Sequence, residues 1–308
     1  MKFEVFFRIC VSGKRCRGLQ TPAALQFSTA MIRFSLYTIF VFTMFSFRAD
    51  DKYSQEIQAF RSARIASLKS ENGWLNLAGL FWMKEGKNTI GGDEKNDFVF
   101  PAEHSDPFLG ELLLKEGKVY YQTVSDTMLV YQDGIKVPVI SHRSLRWFII
   151  KRGEKYAVRL RDLEGEYLKS FRGIESFPTD SAYRIMADFI PTKGKMVTII
   201  DVTGRAYQLE SPGYLQFKIG NKTYRLETSQ EGNSLFVVFG DLTNKKQTYG
   251  AGRFIDTELP NAQGKVLIDF NKAYNPPCAF TPFATCPLPT AANKLAVEIR
   301  AGEQFHGH

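Results

Sequence analysis

From residue 86 onward, short apolar runs alternate with polar turns. The runs are rich in Val, Ile, Tyr and Phe, and the turns contain pairs such as Glu116-Gly117, Asp133-Gly134 and Gly220-Asn221. This pattern is typical of β-strands. Asp-Gly and Gly-Asn turns suit antiparallel hairpins, and the spacing leaves no room for helices between parallel strands. The sequence predicts a mainly β fold: two antiparallel β-sandwich or barrel-like modules with one short N-terminal helix.

The individual elements follow from the same pattern. Residues 54–70 have apolar positions at helical spacing and predict the helix. Residues 161–181 lack alternation and are predicted to connect a module of residues 51–162 with one of residues 163–308. The candidate strands are 97–100, 111–115, 118–123, 128–131, 136–140, 145–151, 155–161, 183–189, 196–201, 206–209, 215–219, 222–227, 235–239, 266–270 and 295–299.

Residues 1–50 resemble a leader. Residues 34–47 contain no charged side chain and in a helix would span about 21 Å, short of the roughly 30 Å hydrocarbon core of a bilayer. With Ala49 before Asp50, they predict a signal peptide over residues 31–49 and an exported protein, periplasmic or secreted, with no transmembrane span in its mature chain. An uncleaved N-terminus lying on a membrane is the alternative. Residues 1–30 are interpreted as a mis-assigned start, with Met31 the true one.

Composition and charge exclude several classes of protein. Of the 308 residues, 44% are hydrophobic and 14% aromatic, which is too apolar for a disordered chain. The net charge is +8, but residues 1–50 hold seven Lys and Arg against two acidic residues, or +5. The other 33 basic and 30 acidic residues give +3 and are interspersed. Because nucleic-acid binding needs a basic stripe, no nucleic-acid partner is expected.

The most distinctive motifs lie between residues 234 and 303. Thr248-Tyr249 is followed by Gly252-Arg253, residues 269–289 read DFNKAYNPPCAFTPFATCPLP, and Ala301-Gly302-Glu303 comes later. With the segment GWLNLAGLFW at residues 73–82, these motifs resemble the domain-of-unknown-function 1684 (DUF1684) family over residues 54–303. That family has no assigned activity, so the resemblance implies relatives and not a chemistry.

The motifs suggest a ligand-binding pocket between the 248–254 turn and the 269–289 loop. Five prolines within residues 276–289 stiffen this loop, and rigid loops on β scaffolds commonly carry sites. Arg253 would anchor the ligand, Asp269 and Asn271 would orient it, and Tyr249 and Tyr274 would stack on it. The alternative is that the polar side chains satisfy backbone groups and that Arg253 pairs with Asp269 or Glu303. The candidate ligand-binding residues are Tyr249, Arg253, Asp269, Asn271, Tyr274, Asn275 and Glu303.

Cys278 and Cys286 allow three interpretations. In an exported protein a disulfide between them comes first, because oxidising compartments favour it. A nucleophilic Cys278 is the second, and half of a zinc site is the last, since the mature chain offers no further cysteine and no suitably spaced histidine. No metal and no cofactor are therefore expected.

These observations leave the function open between classes. The first hypothesis is a module that binds a small polar ligand, such as a sugar or an envelope component. The second is a hydrolase that uses Asp269, Glu303 or Cys278 in the same pocket. The third is a structural envelope protein without a pocket. No catalytic residue is assigned, because the motifs of known hydrolases and nucleotide-binding enzymes are absent. The sequence makes no prediction of oligomeric state.

Overall fold

The computed structural model describes residues 51–307 and confirms the mainly β fold. Helix α1 covers residues 51–69 at the start of the described chain, and a second, five-residue helix, α2, covers Glu166–Ser170. All strand pairs are antiparallel except that of β2 with β3. The leader predicted in residues 1–50 lies outside the described residues.

The first nine strands form two sheets. One has the order β1-β9-β8-β7 and the other the order β3-β2-β4-β5-β6. Apolar residues of both sheets share one hydrophobic cluster, in which the ring of Trp147 packs edge-on against Phe100. The strands are β1 (Leu77–Trp82), β2 (Gly86–Gly91), β3 (Phe98–Val99), β4 (Gly110–Lys115), β5 (Lys118–Gln122), β6 (Thr127–Tyr131), β7 (Ile140–His142), β8 (Leu145–Arg152) and β9 (Lys155–Asp162).

The remaining strands form a second pair of sheets around a second cluster. One sheet has the order β12-β11-β10-β16 and the other the order β13-β14-β15. The strands are β10 (Arg184–Ile200), β11 (Ala206–Ile219), β12 (Lys222–Glu227), β13 (Ser229–Glu231), β14 (Ser234–Phe239), β15 (Arg253–Glu258) and β16 (Lys265–Asp269). The predicted module boundary at residue 162 stays a prediction.

The hairpin of β10 and β11 is longer than the sequence pattern predicts. The predicted strands 183–189 and 196–201 are parts of β10, and 206–209 and 215–219 are parts of β11. Pairing runs from Asp188↔Gln216 to Ile200↔Ala206, with a break in register between Pro191 and Lys195. The polar and glycine residues at this break interrupt the alternation, and for that reason the pattern divides each strand in two.

The predicted strand 295–299 is wrong, the predicted strand 136–140 is wrong except for Ile140 at the start of β7, and four observed strands were not predicted. Residues 295–299 form no strand, because the carbonyl of Ile299 accepts from the side chain of Arg253 and not from a neighbouring strand. The unpredicted strands are β1, β2, β13 and β15. β1 and β2 contain glycine, and β15 alternates weakly because it buries the charged Arg253.

We predict that Phe270→Ala lowers the free energy of unfolding by about 3–5 kcal/mol, because it opens a cavity in the second cluster. The ring of Phe270 is fully buried, with centroids 5.4 Å from Phe239 and 5.7 Å from Phe217. Urea denaturation measures the change. Met186→Ala is the control, since its side chain is exposed and the expected change is below about 0.5 kcal/mol. Equal effects of the two substitutions would contradict this packing.

Candidate functional site

Arg253, the predicted ligand anchor, is fully buried at the start of β15. Its Nη2 donates to Asp241 Oδ2 and to the carbonyl of Ile299, both at 2.8 Å, and its Nη1 donates to the carbonyl of Ala301. The guanidinium lies 5.3 Å from the ring centroid of Phe239. Burial lowers the pKa of Arg253, and the charge of Asp241 opposes this shift. Both terminal nitrogens therefore bind protein groups.

The ion pair of Arg253 is thus with Asp241, whereas the sequence alternative named Asp269 or Glu303 as its partner. Asp241 is held in turn by the turn that follows β14: its Oδ1 accepts from the amide of Thr243 at 2.8 Å and from the amide of Ile299 at 3.2 Å. This carboxylate therefore connects the turn after β14 to the segment that contains Ile299.

Asp269 and Asn271 lie together at the end of β16, away from Arg253. Asp269 Oδ1 accepts from the hydroxyl of Tyr53 at 2.8 Å, and Asn271 Nδ2 donates to the carbonyl of Asp180 at 2.8 Å. Burial, followed by this hydrogen bond to Asp269, raises the pKa of Tyr53. Asp269 Oδ2 is buried and has no hydrogen-bond partner among the described residues. Asp269 and Asn271 therefore connect helix α1, through Tyr53, to the sheet that contains β16.

Asn275 and Glu303 form a third cluster, with Arg64 of α1. Glu303 Oε2 accepts from the amide of Asn275 at 2.6 Å, and Oε1 lies 3.2 Å from Arg64 Nε. Arg64 Nη2 also donates to the carbonyl of Asn275 at 2.9 Å. Burial raises the pKa of Glu303, and Arg64 limits the rise. This cluster holds the proline-rich loop and the C-terminal segment against α1.

The two cysteines lie in the 269–289 loop, and Tyr249 contacts this loop from the 248–254 turn. The hydroxyl of Tyr249 donates to the carbonyl of Cys278 at 3.0 Å, and its ring packs edge-on against Phe305. Cys278 and Cys286 are free thiols in this structure, and the amide of Cys278 donates to Cys286 Sγ at 3.1 Å. Hydrogen bonding between the two thiol groups lowers the pKa of the Cys278 thiol, and this interaction together with burial raises the pKa of the Cys286 thiol.

The seven candidate ligand-binding residues therefore do not converge on one pocket. Asn275 lines one cavity, of about 310 Å³, and Tyr274 lines another, an open cavity of about 450 Å³ between α1 and β15. We call the latter the aromatic cavity. Phe60, Trp74, Phe236 and Phe254 line it with Tyr274.

Three aromatic side chains of this cavity, Phe236, Phe254 and Tyr274, form a row along the outer surface of sheet β13-β14-β15. Phe236 is 4.9 Å from Phe254, and Phe254 is 5.9 Å from Tyr274, both in edge-on geometry. The Arg64 guanidinium lies 4.6 Å from the ring centroid of Tyr274. The three rings form a continuous row because Phe236 and Phe254 point outward from neighbouring strands and a two-residue backbone bridge joins Phe254 to Tyr274.

Polar groups border this aromatic row. Asp256 is exposed opposite Phe236 on β15, and its Oδ2 accepts from the hydroxyl of Tyr274 at 2.8 Å. Burial and the charge of Asp256 raise the pKa of Tyr274, so its hydroxyl stays a donor at neutral pH. The carboxylate of Glu231, also in the cavity wall, has no partner among the described residues. The cavity thus presents apolar rings beside hydrogen-bond acceptors.

Among the aromatic and charged residues of this cavity, sequence reasoning predicts only Tyr274 and misses, among others, Arg64, Glu231, Phe236, Phe254 and Asp256. Arg64 lies in the predicted helix 54–70, to which the sequence pattern gives no role in a site, and the pattern does not predict β13 and β15, which contain Glu231 and Asp256. The alternation within 234–239 did contain a signal, since it places Phe236 on the surface opposite to Leu235, Val237 and Phe239. A large aromatic residue at an outward position indicates a covered or functional surface.

No helix within residues 51–307 is long and apolar enough to cross a membrane. In the same part of the chain, no group of three or more His, Cys, Asp or Glu side chains has the arrangement of a metal site.

Comparison with known proteins confirms the family resemblance. Residues 169–304, less than half of the chain, match the family described as "Protein of unknown function (DUF1684)". An uncharacterised protein of Haloarcula marismortui, solved by NMR in solution, is 28% identical to this chain, covering 44% of this chain and 78% of its own, with a TM-score of 0.38. No curated protein matches the chain.

We predict that Arg253→Met lowers the free energy of unfolding by about 3–5 kcal/mol, because it leaves the Asp241 carboxylate and two carbonyls buried without their donor. Urea denaturation checks this. Lys272→Met is the matched control: its partner Glu56 is exposed, so the loss should be below about 1 kcal/mol. If Arg253→Met were as stable as Lys272→Met, the Arg253–Asp241 pair would not be structural.

Proposed function

We propose that this chain, which belongs to the DUF1684 family through residues 169–304, binds a small neutral hydroxylated molecule of the saccharide class in the aromatic cavity. The observation that supports the proposal most is the row of Phe236, Phe254 and Tyr274 beside the exposed carboxylate of Asp256. A saccharide is among the small polar ligands that the sequence predicts. The lining of the site is different, since only Tyr274 belongs to both the predicted pocket and the aromatic cavity.

The chemistry of the walls favours a saccharide. Sugar rings have one apolar surface made of C–H groups, which can lie on aromatic rings, and hydroxyl groups at their edge. Carboxylates accept hydrogen bonds from such hydroxyls, and hydrogen bonds to a charged acceptor are stronger than neutral ones. Asp256 and Glu231 supply acceptors at opposite sides of Phe236, and Tyr274 and Trp74 supply aromatic surface.

Charged ligands fit the cavity less well. The carboxylates of Asp256 and Glu231 repel an anion. A cation would meet the guanidinium of Arg64, which already lies on Tyr274 and is held by Glu303. A neutral ligand avoids both repulsions and still uses the acceptors.

The proposal places the protein outside the cytoplasm, with a Cys278–Cys286 disulfide in its mature form. The two sulfurs are hydrogen-bond partners, so bond formation needs only a local rearrangement and a disulfide-donating oxidase of the exporting compartment, which takes up both thiol protons and two electrons. By closing a short loop, the bond stabilises the fold by about 2–3 kcal/mol.

The ligand proposal predicts that neutral sugars bind and that Asp256→Ala weakens binding at least about tenfold, because a hydrogen bond to a charged acceptor is lost. Glucose, galactose, N-acetylglucosamine and maltose are titrated by calorimetry, with the fluorescence of the half-exposed Trp74 as a second signal. Glu258→Ala is the matched control, because Glu258 lies two residues further along the same surface of β15 and outside the cavity.

Two results would contradict the proposal: no binding of any of these sugars, or an equal loss in Asp256→Ala and Glu258→Ala. The same titrations are followed for release of products from maltose. Turnover abolished by Asp256→Ala, with binding retained, would replace the binding function by the hydrolase that the sequence left open.

The export proposal predicts a mature chain that begins at Asp50 and lacks two hydrogens relative to its reduced mass. Alkylation before reduction should add nothing, and alkylation after reduction should modify both Cys278 and Cys286. Intact mass spectrometry of the secreted protein measures both. Cys286→Ser is the control, in which Cys278 must become reactive without reduction. Direct alkylation of both thiols in the exported wild type would exclude the disulfide.

A further inference from the structure

A second cavity adjoins the aromatic cavity on the other side of the Phe236–Phe254 pair. It has a volume of about 260 Å³, and Glu231, Phe236 and Phe254 line both cavities. Its outer wall is the distal half of the β10–β11 hairpin, beyond the break in register at 191–195. We call it the hairpin cavity.

The hairpin wall presents apolar side chains that pack in no hydrophobic cluster of the described chain. Val197 pairs with Leu209 and Ile199 with Tyr207, so all four point from one surface of the hairpin into the cavity. Leu209 remains 39% exposed. Phe236 and Val238 complete the opposite wall from β14. A wall of this kind exposes apolar surface to water when the cavity is empty, and its burial by an apolar ligand is favourable.

Except for Glu231 in the wall shared with the aromatic cavity, most polar side chains that line this cavity are bonded to protein groups. Asn293 donates to the carbonyls of Glu227 and Val238 and accepts from the amide of Glu227, and Thr228 donates to the carbonyl of Gly213. Glu227 is paired with Lys195 at 2.5 Å. The hydroxyl of Thr290 is a buried exception without a partner among the described residues. The free carboxylate of Glu231 is therefore an acceptor at the wall shared with the aromatic cavity.

Backbone hydrogen bonds close one end of the hairpin cavity. At the hairpin tip, the amide of Val202 donates to the carbonyl of Cys286 at 2.9 Å, and the amide of Leu288 donates to the carbonyl of Ile200 at 2.8 Å. The buried carboxylate of Asp201 holds the tip turn, accepting from the amide and hydroxyl of Thr203. Elsewhere the hairpin cavity shares a wall with the aromatic cavity, formed by Glu231, Phe236 and Phe254.

We infer that the two cavities together bind a single-chain non-ionic glycolipid, with its sugar in the aromatic cavity and its alkyl chain in the hairpin cavity. This inference rests on the proposed function and adds to it the binding of an alkyl chain. One molecule can cross from one cavity to the other over Phe236 and Phe254, and the free carboxylate of Glu231 lies at that crossing to accept from a hydroxyl of the sugar.

The test compares maltose with hexyl, octyl and decyl maltoside, each below its micelle-forming concentration, by calorimetry. Each methylene that enters the hairpin cavity should strengthen binding about fourfold. Leu209→Glu should abolish this gain and leave maltose binding unchanged, because it places a charge in the apolar wall. Gln208→Glu is the matched control: it adds the same charge one residue away, on the other surface of the hairpin. Both positions are exposed, so folding is preserved.

The outcomes separate the inference from the proposed function. If maltose binds, depends on Asp256, and gains nothing from a chain, the glycolipid inference fails and the proposed function stands. If octyl maltoside and sodium octanoate bind equally and neither depends on Asp256, the cavities accept chains alone and both proposals fail. Equal effects of Leu209→Glu and Gln208→Glu would exclude the hairpin cavity as the site of the chain. No binding of maltose or of any maltoside would overturn the inference outright.

Discussion

The burial of one positive charge organises the second half of this protein. A guanidinium can remain ionised in a protein interior only if a carboxylate and several acceptors surround it. Arg253 meets this requirement with Asp241 and with the carbonyls of Ile299 and Ala301. These partners come from the turn after β14 and from the segment that follows the proline-rich loop. Neutralising the charge therefore fixes the relative positions of three parts of the chain.

The same residue fixes the proposed site through strand geometry. Successive side chains of a strand point to opposite surfaces, so the inward position of Arg253 makes Phe254 and Asp256 point outward. A slip of one residue would exchange the two surfaces and would bury Asp256 in place of Arg253. The same register of β15 therefore produces both the proposed binding surface and the buried ion pair. For this reason the motif that contains Arg253 lies next to the proposed site, although Arg253 itself does not line it.

The sequence predicts most of the fold and little of the site. The helix and most of the strands follow from alternation and glycine turns, but β1, β2 and β13 do not. Other failures occur where a charged residue occupies an inward position, as in β15, or where carbonyls bind a side chain, as at Ile299. Pattern analysis names Asp269, Asn275 and Glu303 as candidate ligand-binding residues, with bonding to protein groups as the alternative, and the structure shows all three bonded to protein groups. It cannot find that they bond to Tyr53 and Arg64, because α1 is more than 200 residues away in sequence. Asp256 and Phe236 emerge only when neighbouring strands are paired.

The position of Arg253's partners along the chain also constrains the order of folding. Strand β15 is synthesised before residues 299–303, so during synthesis its charged side chain lacks the carbonyls that later surround it. If β15 packed on its final neighbours before residues 299–303 were made, the charge of Arg253 would be buried without all of its acceptors. Packing of β15 therefore depends on a contact between residues more than 40 positions apart. A chain of this design keeps its second cluster open until late in synthesis. Such a delay is compatible with the proposed export, because the step that commits the chain to the folded state would come after most of the chain has been made.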